Sequence, residues 1–366
     1  MKSPTTLIKG GLLAASLMAF APLAALADDV SIRLGHVLPE SHSWHVAATG
    51  FAEEVNNRTE GRVSIKVFPS GQLGSEKEVI EGLQFGSVQA GLIGSGSFQG
   101  IEPRMGIIEM PYAWGARDQA FAALDGDLGV ALADMLDGKG IKVLGWWENG
   151  FRNITNNVRP VEKPEDLAGL KIRVTPDKVR LATFEGLGAE PAPLSFGELY
   201  SALQQGLFDA QENPLAIIYS ASFFEVQKYV SLSEHIWGAA TLTMSKSVWD
   251  KISPEDQAIV TEAATSWGLK QWVELHHRWP GAAADRPTGS RRHAVQRGRQ
   301  SRLYRSGRTD LGKPEGRLWR RASDHPGPVP QMTLRPEMTQ VASVEPVQLY
   351  DFTQKVLFSP PQRGEG

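Results

Sequence analysis

The chain has 366 residues, 41% apolar and 22% charged, with no cysteine and a formal net charge of −3. This is ordinary globular composition, with length enough for two lobes or one large α/β domain. The lack of cysteine excludes thiol redox chemistry, disulfides and zinc sites built on cysteine.

The first 27 residues stand apart. Lys2 and Lys9 give a positive start, Gly11 to Leu26 is rich in Ala and Leu, and Ala25-Leu26-Ala27 forms a small-x-small cleavage site. Such a short run ending in such a site is expected to be a signal peptide cleaved after Ala27, placing the mature protein in the periplasm.

From residue 28 strand and helix patterns alternate. Val30–Gly35 alternates like a strand, and residues 41–57 place Trp44, Ala47, Ala48, Phe51 and Val55 on one helical face. Residues 62–68 form a second strand, closed by Pro69-Ser70-Gly71. Ser75 is placed to cap a helix whose first turn holds Glu76 and Glu78 and which ends at Gly86. A short apolar strand covers residues 88–93, and one helix is expected over residues 117–136, stopping at Gly138. Strands follow at residues 141–146 and Lys171–Val174. Asp209 to Pro214 reads as a dense polar turn, and Pro254-Glu255-Asp256 opens a long helix through Ile259, Ala263, Trp267 and Trp272. The alternation argues for parallel sheets covered by helices, with Glu148-Asn149-Gly150 and Asn213-Pro214 as candidate crossings between lobes.

The tail has another character. Residues 1–275 hold 22 Lys and Arg against 33 Asp and Glu, whereas residues 276–366 hold 16 against 8, and 14 of those 16 are Arg. A basic nucleic-acid-binding arm is one reading. The other is a frameshift. Back-translating Pro280 to Ala322, with third bases chosen within degeneracy, and reading one nucleotide later gives an amphipathic helix, a short strand and an Asp-led helix start. The tail from Trp279 onward is therefore expected to be out of frame, with the break near Arg278–Pro280 and no nucleic-acid partner.

Enzyme signatures are mostly missing. Gly94-Ser95-Gly96 lacks the third glycine of a dinucleotide fingerprint, and no P-loop or Gly-x-Ser-x-Gly elbow occurs. His36, His42 and His45 cluster without a His-Glu-x-x-His pattern, so they read as surface or pocket-rim groups and no metal is expected. Three polar residues carry more information. Arg152 lies in a crossing-like loop beside Trp146 and Trp147, Arg173 sits inside a short strand, and Asn213 ends the polar turn. A guanidinium offers paired N–H donors that match a carboxylate and keeps its charge when desolvated. Trp147 and Trp237 are either stacking platforms for a sugar ring or lobe core.

From about Val30 to Arg278 the chain resembles the DctP-type substrate-binding proteins of TRAP (tripartite ATP-independent periplasmic) transporters. The matching segments are Gly35-His36-Val37, Pro69-Ser70-Gly71-Gln72-Leu73-Gly74, Met110-Pro111-Tyr112, Gly150-Phe151-Arg152, Leu170-Lys171-Ile172-Arg173-Val174 and Gln211-Glu212-Asn213-Pro214-Leu215. The resemblance implies an α/β, type II-like periplasmic binding protein fold with hinge strands and a long helix bracing both lobes. Lobe I would comprise residues 28–149 and about 238–277, lobe II residues 150–237, with the completion of lobe II lost in the tail. It also implies that Arg173 forms the principal pair with a substrate carboxylate, that Arg152 and Asn213 assist, that Phe196 packs beside the ligand and that Glu76 lies near the mouth. His36, Trp147 and Trp237 complete the candidate ligand-binding set. The expected function is capture of a small organic acid, hydroxylated like a uronate, by a monomer without cofactor, for delivery to TRAP permease subunits. A periplasmic lyase or hydrolase acting on a sugar acid is the alternative, with Glu212 as its loose candidate base.

Overall fold

The structure is a computed structural model and describes residues 29–278 and 294–296. The expected leader through Ala27 and, apart from Ala294–Gln296, the Arg-rich tail lie outside the described residues.

In chain order, β1 (Val30–Gly35), α1 (Ser43–Arg58), β2 (Val63–Phe68), α2 (Glu76–Phe85) and β3 (Ala90–Gly94) lead into two 3-10 segments, Ser95–Gly100 and Pro103–Glu109. Then come α3 (Arg117–Leu124), α4 (Asp127–Asp137) and the long β4 (Ile141–Asn156). The second half opens with β5 (Lys171–Val174), α5 (Lys178–Gly186), β6 (Glu190–Pro193), α6 (Phe196–Gln204) and β7 (Ala210–Pro214). It continues with α7 (Leu215–Ser220), α8 (Phe223–Val226), β8 (Tyr229–Ser231) and β9 (Trp237–Ser245). Last are α9 (Lys246–Trp249), α10 (Pro254–Arg278) and β10 (Ala294–Gln296), which pairs antiparallel with β8.

Two strand sets share β4. The order β2-β1-β3-β9-β4 builds one lobe and β4-β7-β5-β6 the other. β1 pairs with β2 and β3 in parallel, as β5 does with β6 and β7, while β4 and β9 enter antiparallel. The sheets are thus mixed rather than purely parallel, because β4 and β9 serve as crossings. Irregularities at Val143/Gly145 and Glu148/Gly150 bend β4 where it changes lobes. Gly150 sits there at φ +117°, a conformation that L side chains avoid. The return crossing is at Ile236–Gly238, where Arg152 N–H donates to the Ile236 carbonyl, and not at Asn213-Pro214, which lies within β7.

Local chemistry explains most boundaries. Ser75 and Glu78 form a reciprocal capping box on α2, and Gly86 ends it in the left-handed region. The helix expected over residues 117–136 is two helices. Gly126 is extended, and Gly129 packs so tightly on the preceding turn that a Cβ there would lie 1.7 Å from the Leu124 carbonyl oxygen.

One apolar cluster under α1 and α10 includes Phe51, Trp147, Leu242 and Ala264, a second under α2–α4 includes Phe98, Trp114 and Trp237, and a smaller third fills the β5–α5 lobe. α10 lies against the first lobe. Trp147 Nε1 donates to the Ala264 carbonyl (3.0 Å), Gln271 Nε2 to the Glu148 carbonyl (3.1 Å), and Arg62 forks onto Asp256 (3.1 and 2.8 Å). The approach of α1 to α10 requires glycine, since a Cβ on Gly50 would stand 2.1 Å from the Trp267 ring. Among the described residues no helix is long and apolar enough to cross a membrane. Gly50→Ala is expected to destabilise the fold by about 1–3 kcal/mol through overpacking, read as a lower urea midpoint at unchanged slope.

Candidate functional site

A polar cleft opens between the lobes. Its walls come from both lobes: Trp44, Glu76, Ser97 and Asn149 on one side, Arg152, Arg173, Arg180, Phe196 and Asn213 on the other. The structure therefore brings five expected residues together, Arg173, Arg152, Asn213, Phe196 and Glu76. It places three elsewhere. His36 is buried beside β1, its Nε2 3.2 Å from His45 Nδ1, and burial followed by the His45 charge lowers its pKa to about 3. Trp147 is core under α10, edge-on to Phe51, and Trp237 is core between Trp114 and Phe121 with its Nε1 on Glu148. Both tryptophans are 1% exposed, so they pack the lobes instead of lining the cleft.

The Asp209–Pro214 segment is the largest departure from expectation. It is not a turn but β7, a fully buried strand in which Gln211, Glu212 and Asn213 pair with β4. Buried polar side chains must find partners or cost several kcal/mol, and these three do. Glu212 accepts from Arg152 Nε and Nη2, stands 3.4 Å from His235 Nε2 and lies 3.7 Å from Arg180 Nε. Asn213 Oδ1 accepts from Arg152 Nη2 at 2.9 Å, and its Nδ2 donates to Gln211 Oε1 at 2.6 Å. Gln211 Nε2 continues to Thr155 Oγ1 (2.7 Å), which donates to Gln227 (2.9 Å). Burial alone would raise the Glu212 carboxyl, but Arg152 and Arg180 outweigh it and hold the group well below the usual carboxylate range. It is a permanent anion bonded to cations, which suits a structural counter-ion and not a base.

Three guanidiniums meet at the cleft with different partners. Arg152 is neutralised by Glu212. Arg180, which sequence spacing did not single out, pairs with Glu109 and with Asp177 (2.9 Å). Burial would lower Arg180, but Asp177, Glu109 and Glu212 more than reverse this and keep it charged. Asp177 caps α5, accepting from Arg180 N–H at 2.7 Å, and burial pushes its carboxyl up to about 7 against the pull of Arg180.

Arg173 differs. Its Nε and Nη2 both donate to the Leu194 carbonyl (2.8 and 2.6 Å), and its buried Nη1 has no hydrogen-bond partner. Burial pulls it down to about 10, with Glu212 opposing and Arg152 and Arg180 adding, so it stays protonated at neutral pH. Across the cleft stand a carboxylate and an amide. Glu76 takes N–H from Gly94 (2.9 Å) and the Ser97 hydroxyl (2.5 Å), while buried Asn149 Oδ1 has no donor. No cluster of three or more metal-ligating side chains occurs among the described residues.

The profile of the bacterial extracellular solute-binding proteins, family 7 (DctP), matches residues 34–283. The chain is 38% identical over 257 residues to the 2,3-diketo-L-gulonate-binding periplasmic protein YiaO of Escherichia coli K12, covering 70% of this chain and 78% of that one. It is 34% identical over 245 residues to the C4-dicarboxylate-binding protein DctB of Bacillus subtilis 168, covering 66% and 70%. Among solved structures it is similar to a TRAP periplasmic solute-binding protein from Polaromonas sp. JS666 bound to D-erythronate. There the TM-score is 0.66 and the identity 35%, over 68% of this chain and 82% of that one.

Glu212→Gln is expected to lower stability by about 3–5 kcal/mol, because it strands the buried charge of Arg152. Urea unfolding checks this, and a change within experimental error would refute the counter-ion role.

Proposed function

The chain belongs to the DctP family of bacterial extracellular solute-binding proteins, and on that premise we propose that it captures a small hydroxylated monocarboxylate. It is a binding protein, not an enzyme, and it serves TRAP transport of organic acids. Delivery is to the membrane permease subunits of such a transporter. A monomer exported by cleavage after Ala27 completes the proposal.

The observation that carries the substrate class is the state of Arg173. Arg152 and Arg180 each have a carboxylate bonded to them, whereas Arg173 bonds only a neutral carbonyl. One cation without a bonded anion calls for one carboxylate, received on the Nη1/Nη2 edge that faces away from Leu194. The opposite wall, with Glu76 and Asn149 Oδ1, is suited to hydroxyl donors and repels a second carboxylate. Phe196, packed on Phe223 at 5.7 Å, supplies an apolar face beside the clamp.

We further propose that the tail from Trp279 is out of frame. The family match stops at residue 283, near the break expected from codon degeneracy, while the alignment leaves 22% of the E. coli relative's length uncovered.

Two measurements test these readings. By calorimetry against D-erythronate, D-galacturonate, D-galactonate and succinate, a hydroxylated monocarboxylate is expected to bind tightest. Arg173→Lys is then expected to weaken it about a hundredfold, since a point-like ammonium cannot reproduce the fork. Unchanged affinity would remove Arg173 from the clamp, and preference for succinate would overturn the monocarboxylate assignment. Nucleotide sequencing across codons 275–292 is expected to locate a missing or extra base. A locus whose other frame carries no family-like continuation would refute the frameshift.

A further inference from the structure

Beside the carboxylate clamp, the lobes meet at a second polar contact. Glu109 ends the 3-10 segment Pro103–Glu109 of the first lobe, and Arg180 lies on α5 of the second. Both are buried, and they form an ion pair through Glu109 Oε2 and Arg180 Nη2. The neighbouring residue on α5, Val179, donates its N–H to Gln99 Oε1 of the first lobe at 3.2 Å. The first turn of α5 therefore seats on the two 3-10 segments as a unit.

The seat is shaped for the carboxylate. A Cβ at Gly96 would lie 2.5 Å from Glu109 Oε2, and one at Gly238 2.9 Å from Oε1. A Cβ at Gly106 would lie 2.8 Å from the Val179 side chain. Three glycines thus clear the space that the pair and the α5 turn occupy.

Each half also has partners in its own lobe. Glu109 Oε1 accepts from the Ser95 hydroxyl and the Gly96 N–H, both at 2.9 Å. Arg180 keeps Asp177 at 2.9 Å and lies 3.7 Å from Glu212, which in turn holds Arg152. Separating the lobes would break the Glu109–Arg180 pair without leaving either charge bare, so the contact is built to open and re-form. Arg180 also lines the cleft, which joins this contact to the clamp.

We propose that Glu109 and Arg180 are positioning residues, a latch whose ion pair forms when the lobes close on ligand and sets how slowly the ligand leaves. The proposal rests on the binding function above. Glu109 does not line the cleft, so a change there tests closure apart from ligand contact.

The test is stopped-flow dissociation of the tightest-binding acid of the same panel, followed by tryptophan fluorescence, since Trp44 lines the cleft. Glu109→Gln in the full chain is expected to speed dissociation about tenfold while leaving the ranking of the four acids unchanged. Glu109→Asp keeps the charge and shortens the reach, so it is expected to behave likewise. It also serves if Glu109→Gln folds poorly. Damage that merely inactivates molecules would lower the binding amplitude and leave the dissociation rate alone, which would overturn the latch. Equal rates in variant and unmodified chain would overturn it too, with the binding function intact. Failure of the unmodified chain to bind any of the four acids would overturn the substrate class and the latch with it.

Discussion

One buried carboxylate sets the electrostatics of the site. Glu212 lies on a strand with no exposed surface, among the charges of Arg152 and Arg180 and beside His235. Without it the second lobe would hold three guanidiniums with few counter-charges, an arrangement that burial does not tolerate. With it Arg152 becomes part of the scaffold, Arg180 turns toward Glu109 and Asp177, and Arg173 alone is left with a carbonyl for company. The place that the proposed function gives to a ligand carboxylate thus follows from how the other two cations are satisfied. Pairing of this kind orders side chains more than it adds net stability, and order is what a small polar site needs.

Order also comes from the crossings. β4 runs 16 residues through both sheets and β9 returns beside it, so the lobes are joined by continuous hydrogen-bonded strands. The ladder is irregular at Val143/Gly145 and again at Glu148/Gly150, where glycine takes the unusual φ. Flanking segments are tied down: Trp44 Nε1 and Gln271 Nε2 both donate to the Glu148 carbonyl, and Arg117 reaches the Glu148 side chain. Closure of a hinge of this kind absorbs backbone change at a few positions while the cores move as rigid bodies.

Much of this was legible in the sequence, for local reasons. The alternation of Val30–Gly35, the Ser75 cap with Glu78 and the glycine at 86 are short-range signals, and the elements fall where they point. The motif resemblance pointed to Arg173, Arg152, Asn213, Phe196 and Glu76, which line one cleft. What stayed hidden depends on distant partners. β7 read as a turn because Gln211, Glu212 and Asn213 are polar, and only the arginines and Thr155 brought in from elsewhere make their burial affordable. Arg180 passed unnoticed because its partner Glu109 is 71 positions away in the chain. Trp147 and Trp237 offered an aromatic face that suits core and cleft equally, and core took both. The split between α3 and α4 turns on the contact of Gly129 with the Leu124 carbonyl, which no periodicity reports.

The division of labour between the two walls has an evolutionary consequence. Arg173, the anchor of the proposed function, is held from behind by the Leu194 carbonyl of the second lobe and takes no hydrogen bond from the residues that face it. Glu76, Ser97 and Asn149 belong to other elements of the first lobe and make none of the hydrogen bonds that hold Arg173, so their exchange would leave that hold in place. Such a socket, with one fixed pole and a replaceable panel, lets new cargo be acquired in few mutational steps. Relatives named for a diketo sugar acid and for a C4-dicarboxylate carry different cargo on sequences similar to this one.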